Sequence, residues 1–158
     1  MLLSRVWAMP NKNTFDIKPI KEIILKYKHG ISVDPFANGN KLADITNDLD
    51  PQFDTDHNLD ALDFLRLFET GSIDTVLFDP PYSPRQVSEV YKKFGKTVNS
   101  LTTSSAFWSK LKAEVSRIIS KEGIVISCGW NSGGIGVKYG FSIVEVLLIL
   151  MAGGIMIL

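Results

Sequence analysis

The run Asp74-Thr75-Val76-Leu77-Phe78, stopped by Asp79-Pro80-Pro81-Tyr82, decides the fold. β-Branched and aromatic residues in a short apolar run with a hard end read as a buried strand. The two prolines fix two φ angles and remove two backbone donors, so the strand gives way to a stiff, extended corner with free carbonyls. A carboxylate before that corner and a phenol after it are held in a set geometry. Such an arrangement suits a planar ligand bearing an amine. The Tyr82 ring stacks on the ligand, while Asp79 and a proline-region carbonyl accept hydrogen bonds from its NH2.

Working outward, the same punctuation recurs. Ile17, Ile20, Ile24 and Tyr27 share one face of a helix predicted over Asp16–Lys28, with Pro19 in its first turn and His29-Gly30 at its end. Gly30–Asp34 reads as a short buried strand followed by the turn-rich Pro35-Phe36-Ala37-Asn38-Gly39-Asn40, and Leu42–Thr46 as a second strand ending at Asn47-Asp48-Leu49-Asp50. Leu59, Leu62, Leu65 and Phe68 predict a helix over Asn58–Phe68. Helices are expected over Pro84–Phe94 and Ser104–Lys121, the latter with Phe107, Leu111, Val115 and Ile118 inward. Strands follow at Ile124–Cys128 and, beyond a glycine-rich loop over Gly129–Gly140, at Phe141–Leu150. Strands separated by helices make the fold class α/β, a parallel sheet with helices on both faces.

The chain has 158 residues, 45% of them hydrophobic and 22% charged, and its 17 basic residues offset its 17 acids. That length supports one domain over residues 1–158, burying roughly 70% of the surface of the unfolded chain. The single Cys128 excludes a disulfide framework and fits a reducing, cytoplasmic setting. Met1–Pro10 contains no apolar run of signal-peptide length, and the oily C-terminus falls short of the about 20 residues a membrane helix needs. His29 and His57 lack paired ligand spacing, so no metal is expected.

In open parallel sheets, ligands bind beyond the carboxyl ends of the strands. Asp34, the Asp48/Asp50 pair, Asp79-Pro80-Pro81-Tyr82 and Gly129-Trp130-Asn131-Ser132 all fall at that edge. Trp108 reads as core, since it shares the apolar side of its helix with Phe107. Arg85, Lys92, Lys93 and Lys96 form a modest basic cluster that reads equally well as a phosphate contact or a solvated helix face.

Asp79-Pro80-Pro81-Tyr82 after a strand resembles the signature of S-adenosylmethionine-dependent amino methyltransferases, especially phage- or prophage-type DNA adenine-N6 enzymes. Asp60-Ala61-Leu62-Asp63-Phe64-Leu65 and Gly71-Ser72-Ile73 before it look similar to them as well. Asp34-Pro35-Phe36-Ala37-Asn38-Gly39-Asn40 stands where that family carries an Asp-Pro-Phe-x-Gly-x-Gly cofactor loop, with asparagine at both glycine positions. Thr14-Phe15-Asp16-Ile17-Lys18-Pro19 is similar to the Lys-Pro segment that closes over the methionine end of the cofactor. The resemblance covers about Ser4 to Leu148. It implies a Rossmann-like methyltransferase sandwich, S-adenosylmethionine as cofactor, and DNA as the partner that presents a flipped adenine. By the same resemblance, Asp79, Pro80, Pro81 and Tyr82 would be catalytic. Phe15, Lys18, Pro19, Asp34, Phe36 and Asn38 would hold the methionine part, Asp48 or Asp50 the ribose hydroxyls, and Asp60 the adenine amine.

Two rivals stand beside this. Ribosomal RNA guanine-N2 methyltransferases also carry Asp-Pro-Pro-Tyr, whereas protein-glutamine methyltransferases usually begin the motif with Asn, so Asp79 favours a nucleobase. The other rival is a cofactor-binding remnant without activity. Leu150–Leu158 can be back-translated so that a one-base shift reads Pro-His-Gly-Gly-Gly-His-Asn-Asp-Thr, close to a His-Gly-Gly-x-His-Asn-Asp-Thr segment the resemblance places there. Residues 150–158 would then be an aberrant, frameshifted tail, and the sheet would lack its last strand. A zero net charge and no separate recognition domain predict weak non-specific DNA affinity, unless a homodimer or a separate specificity partner adds basic surface.

Overall fold

The computed structural model describes residues 1–81, 83–94, 105–152 and 154–158. Its strands are β1 (Leu2–Trp7), β2 (Ser32–Asp34), β3 (Ile45–Thr46), β4 (Ile73–Phe78), β5 (Ile119–Ser127), β6 (Glu145–Met151) and β7 (Gly154–Ile157). Its helices are α1 (Lys18–Tyr27), α2 (Ala61–Leu65), α3 (Pro84–Lys93) and α4 (Ser105–Ile118), with 3-10 turns at Thr14–Asp16 and Val137–Tyr139. One sheet has the order β3-β2-β4-β5, all parallel; the other has β1 parallel to β6 and β6 antiparallel to β7. An antiparallel bridge between Gly129 and Ile157 joins the two, with amide-to-carbonyl distances of 2.8 and 2.9 Å. The molecule is a mixed α/β fold built on parallel strands.

β4 is central because nearly all of it is buried. Its two-residue period sends Val76 and Phe78 to a core with α2 and α4, and Leu77 to a second core with α1. Ile20 and Ile24, one helical turn apart, are fully buried under α1, and Pro19 occupies its first turn as expected. Phe107, Leu111, Val115 and Ile118 form the inner face of α4 as the spacing predicts. Asp60 caps α2 by accepting the Leu62 amide at 3.0 Å. The cap fixes the start of α2 at Ala61 rather than Asn58, and Leu59 is left outside the helix and exposed.

β3 is confined to Ile45–Thr46 and β6 begins at Glu145 rather than Phe141, and three further features depart from the sequence reading. The sequence pattern predicts no strand at β1. β5 starts at Ile119, where it pairs with Ile73, so α4 ends before Ser120 and Lys121. The third concerns the tail. Gly154–Ile157 turn back on β6, pairing Ile155 with Leu150 and Ile157 with Leu148, so these tail residues form a strand. The hairpin supplies backbone partners to β6 on its second side, so β6 is paired on both sides, while Ile155 of β7 stays exposed. Among the described residues no helix is long and apolar enough to cross a membrane.

Candidate functional site

The carboxyl ends of β2, β3 and β4 converge on a cavity of about 460 Å³. Phe36, Asn38, Asp48, Asp50, Asp60, Asp79, Pro80 and Pro81 all line it. These residues come from distant parts of the chain, and the parallel register of β2 with β3 and β4 brings them together. A smaller hollow of about 40 Å³ adjoins it, sharing Phe36, Asn38 and Asp79 and adding Thr14 and Phe15.

The loop after β2 is built on aspartates. Asp34 is fully buried at the strand end, and its Oδ1 accepts the Phe36 amide at 2.9 Å. Its Oδ2 is a buried side-chain oxygen with no hydrogen-bond partner among the described residues. Burial raises the Asp34 pKa well above the usual carboxylate range, and the nearby charges of Asp79 and Asp48 add to this. Asn38 takes a left-handed φ of 46° and Gly39 follows at 76°. Asparagine tolerates that conformation, so the turn survives without glycine at position 38. Asp48 Oδ2 accepts the Asn38 amide at 2.8 Å, and Asp48 Oδ1 accepts the Asp50 amide at the same distance. Burial nevertheless raises the Asp48 pKa.

Buried Asn47 locks three segments into one rim. Its side-chain amide donates to the carbonyls of Pro35 (3.1 Å) and Leu59 (3.0 Å), and its oxygen accepts the Leu59 amide at 2.9 Å. Asp50 accepts the Gln52 amide at 3.0 Å and pairs with Lys93 of α3 at 2.8 Å. The Lys93 ammonium, followed by the Gln52 amide, holds its pKa below the ordinary value.

At the proline corner, burial raises Asp79 from 3.8 to about 6, opposed by a hydrogen bond from the Thr14 hydroxyl. Trp108 Nε1 donates to the Pro81 carbonyl at 3.2 Å, bracing the corner from α4. Cys128 is buried close by, its thiol pushed well up by burial and then by the charges of Asp79 and Asp34. Tyr82, expected to stack on a base, lies outside the described residues, as does Lys96 of the basic cluster.

Three expected residues line neither hollow: Asp34, buried at the end of β2, Lys18 and Pro19. The Lys18 side chain is 87% exposed and faces Glu22 at 3.9 Å, and Pro19 serves the first turn of α1. Of the basic cluster, Arg85 pairs with Glu89 and Lys93 with Asp50. His29 sits exposed just beyond α1, and His57 packs on Phe64. Thr14, Asn47, Lys93 and Trp108 are contributors the sequence did not single out for these contacts. Only Thr14 carried a signal, through its neighbours Phe15 and Lys18.

No protein-family model matches the chain, and a comparison with curated proteins found no match.

Proposed function

We propose that the chain is an S-adenosylmethionine-dependent methyltransferase of the Rossmann-like kind, acting on the N6 amine of adenine in DNA. The observation that carries this reading is the single cavity that gathers Asp79, Pro80 and Pro81 with Phe36, Asn38, Asp48, Asp50 and Asp60. Its size falls in the range of cofactor pockets, about 300–1,000 Å³. Its acids suit a ligand carrying a sulfonium and an ammonium group. β7 pairs with β6 and so leaves no open apolar edge on that strand, which favours a working core over a remnant.

When bound, the cofactor supplies an electrophilic methyl group. In this reading Asp48 or Asp50 accepts hydrogen bonds from the ribose hydroxyls, Asp60 accepts one from the adenine amine of the cofactor, and Phe36 and Asn38 border its methionine end. The amine of the target adenine is a poor nucleophile, because its lone pair is delocalised into the ring. Asp79 and the Pro80 carbonyl accept hydrogen bonds from that amine, which favours the pyramidal nitrogen whose positive charge develops in the transition state. The stiff proline corner holds both acceptors in place, so orientation supplies much of the acceleration. A duplex adenine must leave the stack to reach this corner.

The test is transfer of tritiated methyl from S-adenosylmethionine to adenine-containing DNA, with RNA as a parallel arm. Incorporation into DNA that vanishes in Asp79→Ala, with the fold retained, is expected. Incorporation into RNA alone would favour the ribosomal guanine reading. Calorimetric binding of the cofactor without transfer to either would favour the remnant.

A further inference from the structure

The outermost strand, β1, is paired on one side only among the described residues, with β6. The amides of Leu2 and Ala8 donate to the carbonyls of Val144 and Leu150 at 2.8 and 3.0 Å, so even-numbered residues aim their backbone at β6. By strand alternation, Leu3, Arg5 and Trp7 turn their N–H and C=O groups to the open edge. Natural sheets blunt such an edge with charges, prolines or bulges. Here Arg5 alone interrupts it, while Leu3, Trp7 and Met9 are 67%, 64% and 67% exposed.

We infer that β1 of a second copy covers this edge, antiparallel, about a two-fold axis at Val6. In an antiparallel pair, outward-facing residues must oppose outward-facing residues, so the axis passes through a residue rather than a midpoint; the three such positions flanking the middle of the strand are Ser4, Arg5 and Val6. An axis at Arg5 sets two guanidinium groups directly opposite, which is destabilising. An axis at Ser4 sets each Arg5 against Leu3 of the second copy and leaves Trp7 facing Met1. An axis at Val6 sets each Arg5 beside Trp7 of the second copy, where the indole face attracts the cation. It also lays Leu3 against Met9. The one charge on the edge thus finds a complementary group, twice, and the contact is the same patch on both copies, as a closed dimer requires. A net charge of zero imposes no long-range repulsion between copies. Leu3, Trp7 and Met9 offer on the order of 400 Å² of apolar surface, and the strand edge with the Arg5 stem carries this toward the roughly 800 Å² per partner of a stable dimer.

Sedimentation velocity on the full chain at micromolar concentration is expected to give twice the chain mass. Arg5→Pro removes an outward amide and leaves the bonds to β6 intact, a position where an edge strand tolerates proline. It is expected to give the single-chain mass with an unchanged circular dichroism spectrum. Val6 pairs with its own copy without hydrogen bonds, at a Cα separation of about 4.5 Å, within disulfide reach. Val6→Cys is therefore expected to cross-link on oxidation and Ser4→Cys is not, with buried Cys128 as a silent background. A single-chain mass for the unmodified protein, a dimer that survives both Arg5→Pro and Trp7→Ala, or cross-linking through Ser4→Cys in place of Val6→Cys would overturn the inference. None of these readouts depends on methyl transfer.

Discussion

Replacing Asp79 by asparagine is expected to make the protein more stable and inactive, and the stability gain has a defined pH dependence. Burial raises Asp79 from 3.8 to about 6, so the native state binds that proton more tightly than the unfolded chain does. The sign follows by linkage. Below about pH 4 the group is protonated in both states and costs nothing. Between about 4 and 6 the native protein must hold on to a proton the unfolded chain releases, so stability falls as pH rises, and above 6 the loss is complete. The gap corresponds to about 3 kcal/mol. The substituted amide stays neutral at every pH, and its carbonyl oxygen can still accept from Thr14. Urea unfolding of Asp79→Asn and the unmodified chain at pH 4, 6 and 8 measures the difference directly. The variant is expected to gain little at pH 4 and up to about 3 kcal/mol at pH 8, while methyl transfer is lost at both. A gain that does not vary with pH, or a variant less stable at pH 8 than the parent, would refute the claim that a buried, costly carboxylate sits at this corner.

Thr14→Val removes a hydrogen bond that opposes the burial of Asp79, so the acid limb of the pH–rate profile for methyl transfer is expected to move to higher pH. Lys93→Met frees Asp50 from its 2.8 Å ion pair. If Asp50 accepts ribose hydroxyls, calorimetric affinity for S-adenosylmethionine rises at least roughly two- to fivefold, the scale of a surface pair, since only the Lys93 end of this one is open to water. Asn47→Leu deletes three hydrogen bonds and leaves the amide and carbonyl of Leu59 and the carbonyl of Pro35 without their partner. A loss of about 3 kcal/mol in urea unfolding is expected, since each abandoned buried group costs about 1–3 kcal/mol.

Local rules reached as far as local causes did. The proline pair ends β4 where the sequence places its end, and the spacing of Phe107, Leu111, Val115 and Ile118 sets the inner face of α4. β1 escapes such rules because Leu2–Trp7 carries Arg5 at its centre and becomes a strand only by pairing with Glu145–Leu150 at the far end of the chain. β7 escapes for a related reason. Ile155-Met156-Ile157 has no strand period of its own, and β6 supplies the ladder. Ile119–Glu122 has helical composition, yet the pairing of Ile119 with Ile73 turns it into the start of β5. The site divides in the same way. Residues on the motifs were legible, because turn chemistry fixes them within a few positions. The groups that hold those motifs, such as Trp108 on the Pro81 carbonyl and Lys93 on Asp50, act across 27 and 43 positions, where a single sequence carries no signal.

The zero net charge of the chain conceals an uneven distribution. Asp48, Asp50, Asp60 and Asp79 line one cavity, and Lys93 is the one cation among its described lining residues. That cation is already paired with Asp50. A hollow of this kind attracts a positively charged ligand and repels phosphate, since low-dielectric walls concentrate the field of like charges. Under the proposed function the two substrates therefore face opposite demands. The sulfonium cofactor finds its complement inside the cavity, whereas the phosphates flanking an extruded base must be met by cations outside it. Arg85 and Lys93 have acidic partners within the chain, which lessens what these two cations offer to that task. Pairing two copies through β1 would double the basic surface available to one DNA molecule without altering either cavity. Abolishing the dimer is thus expected to weaken DNA binding and reduce its salt dependence, while leaving cofactor affinity unchanged.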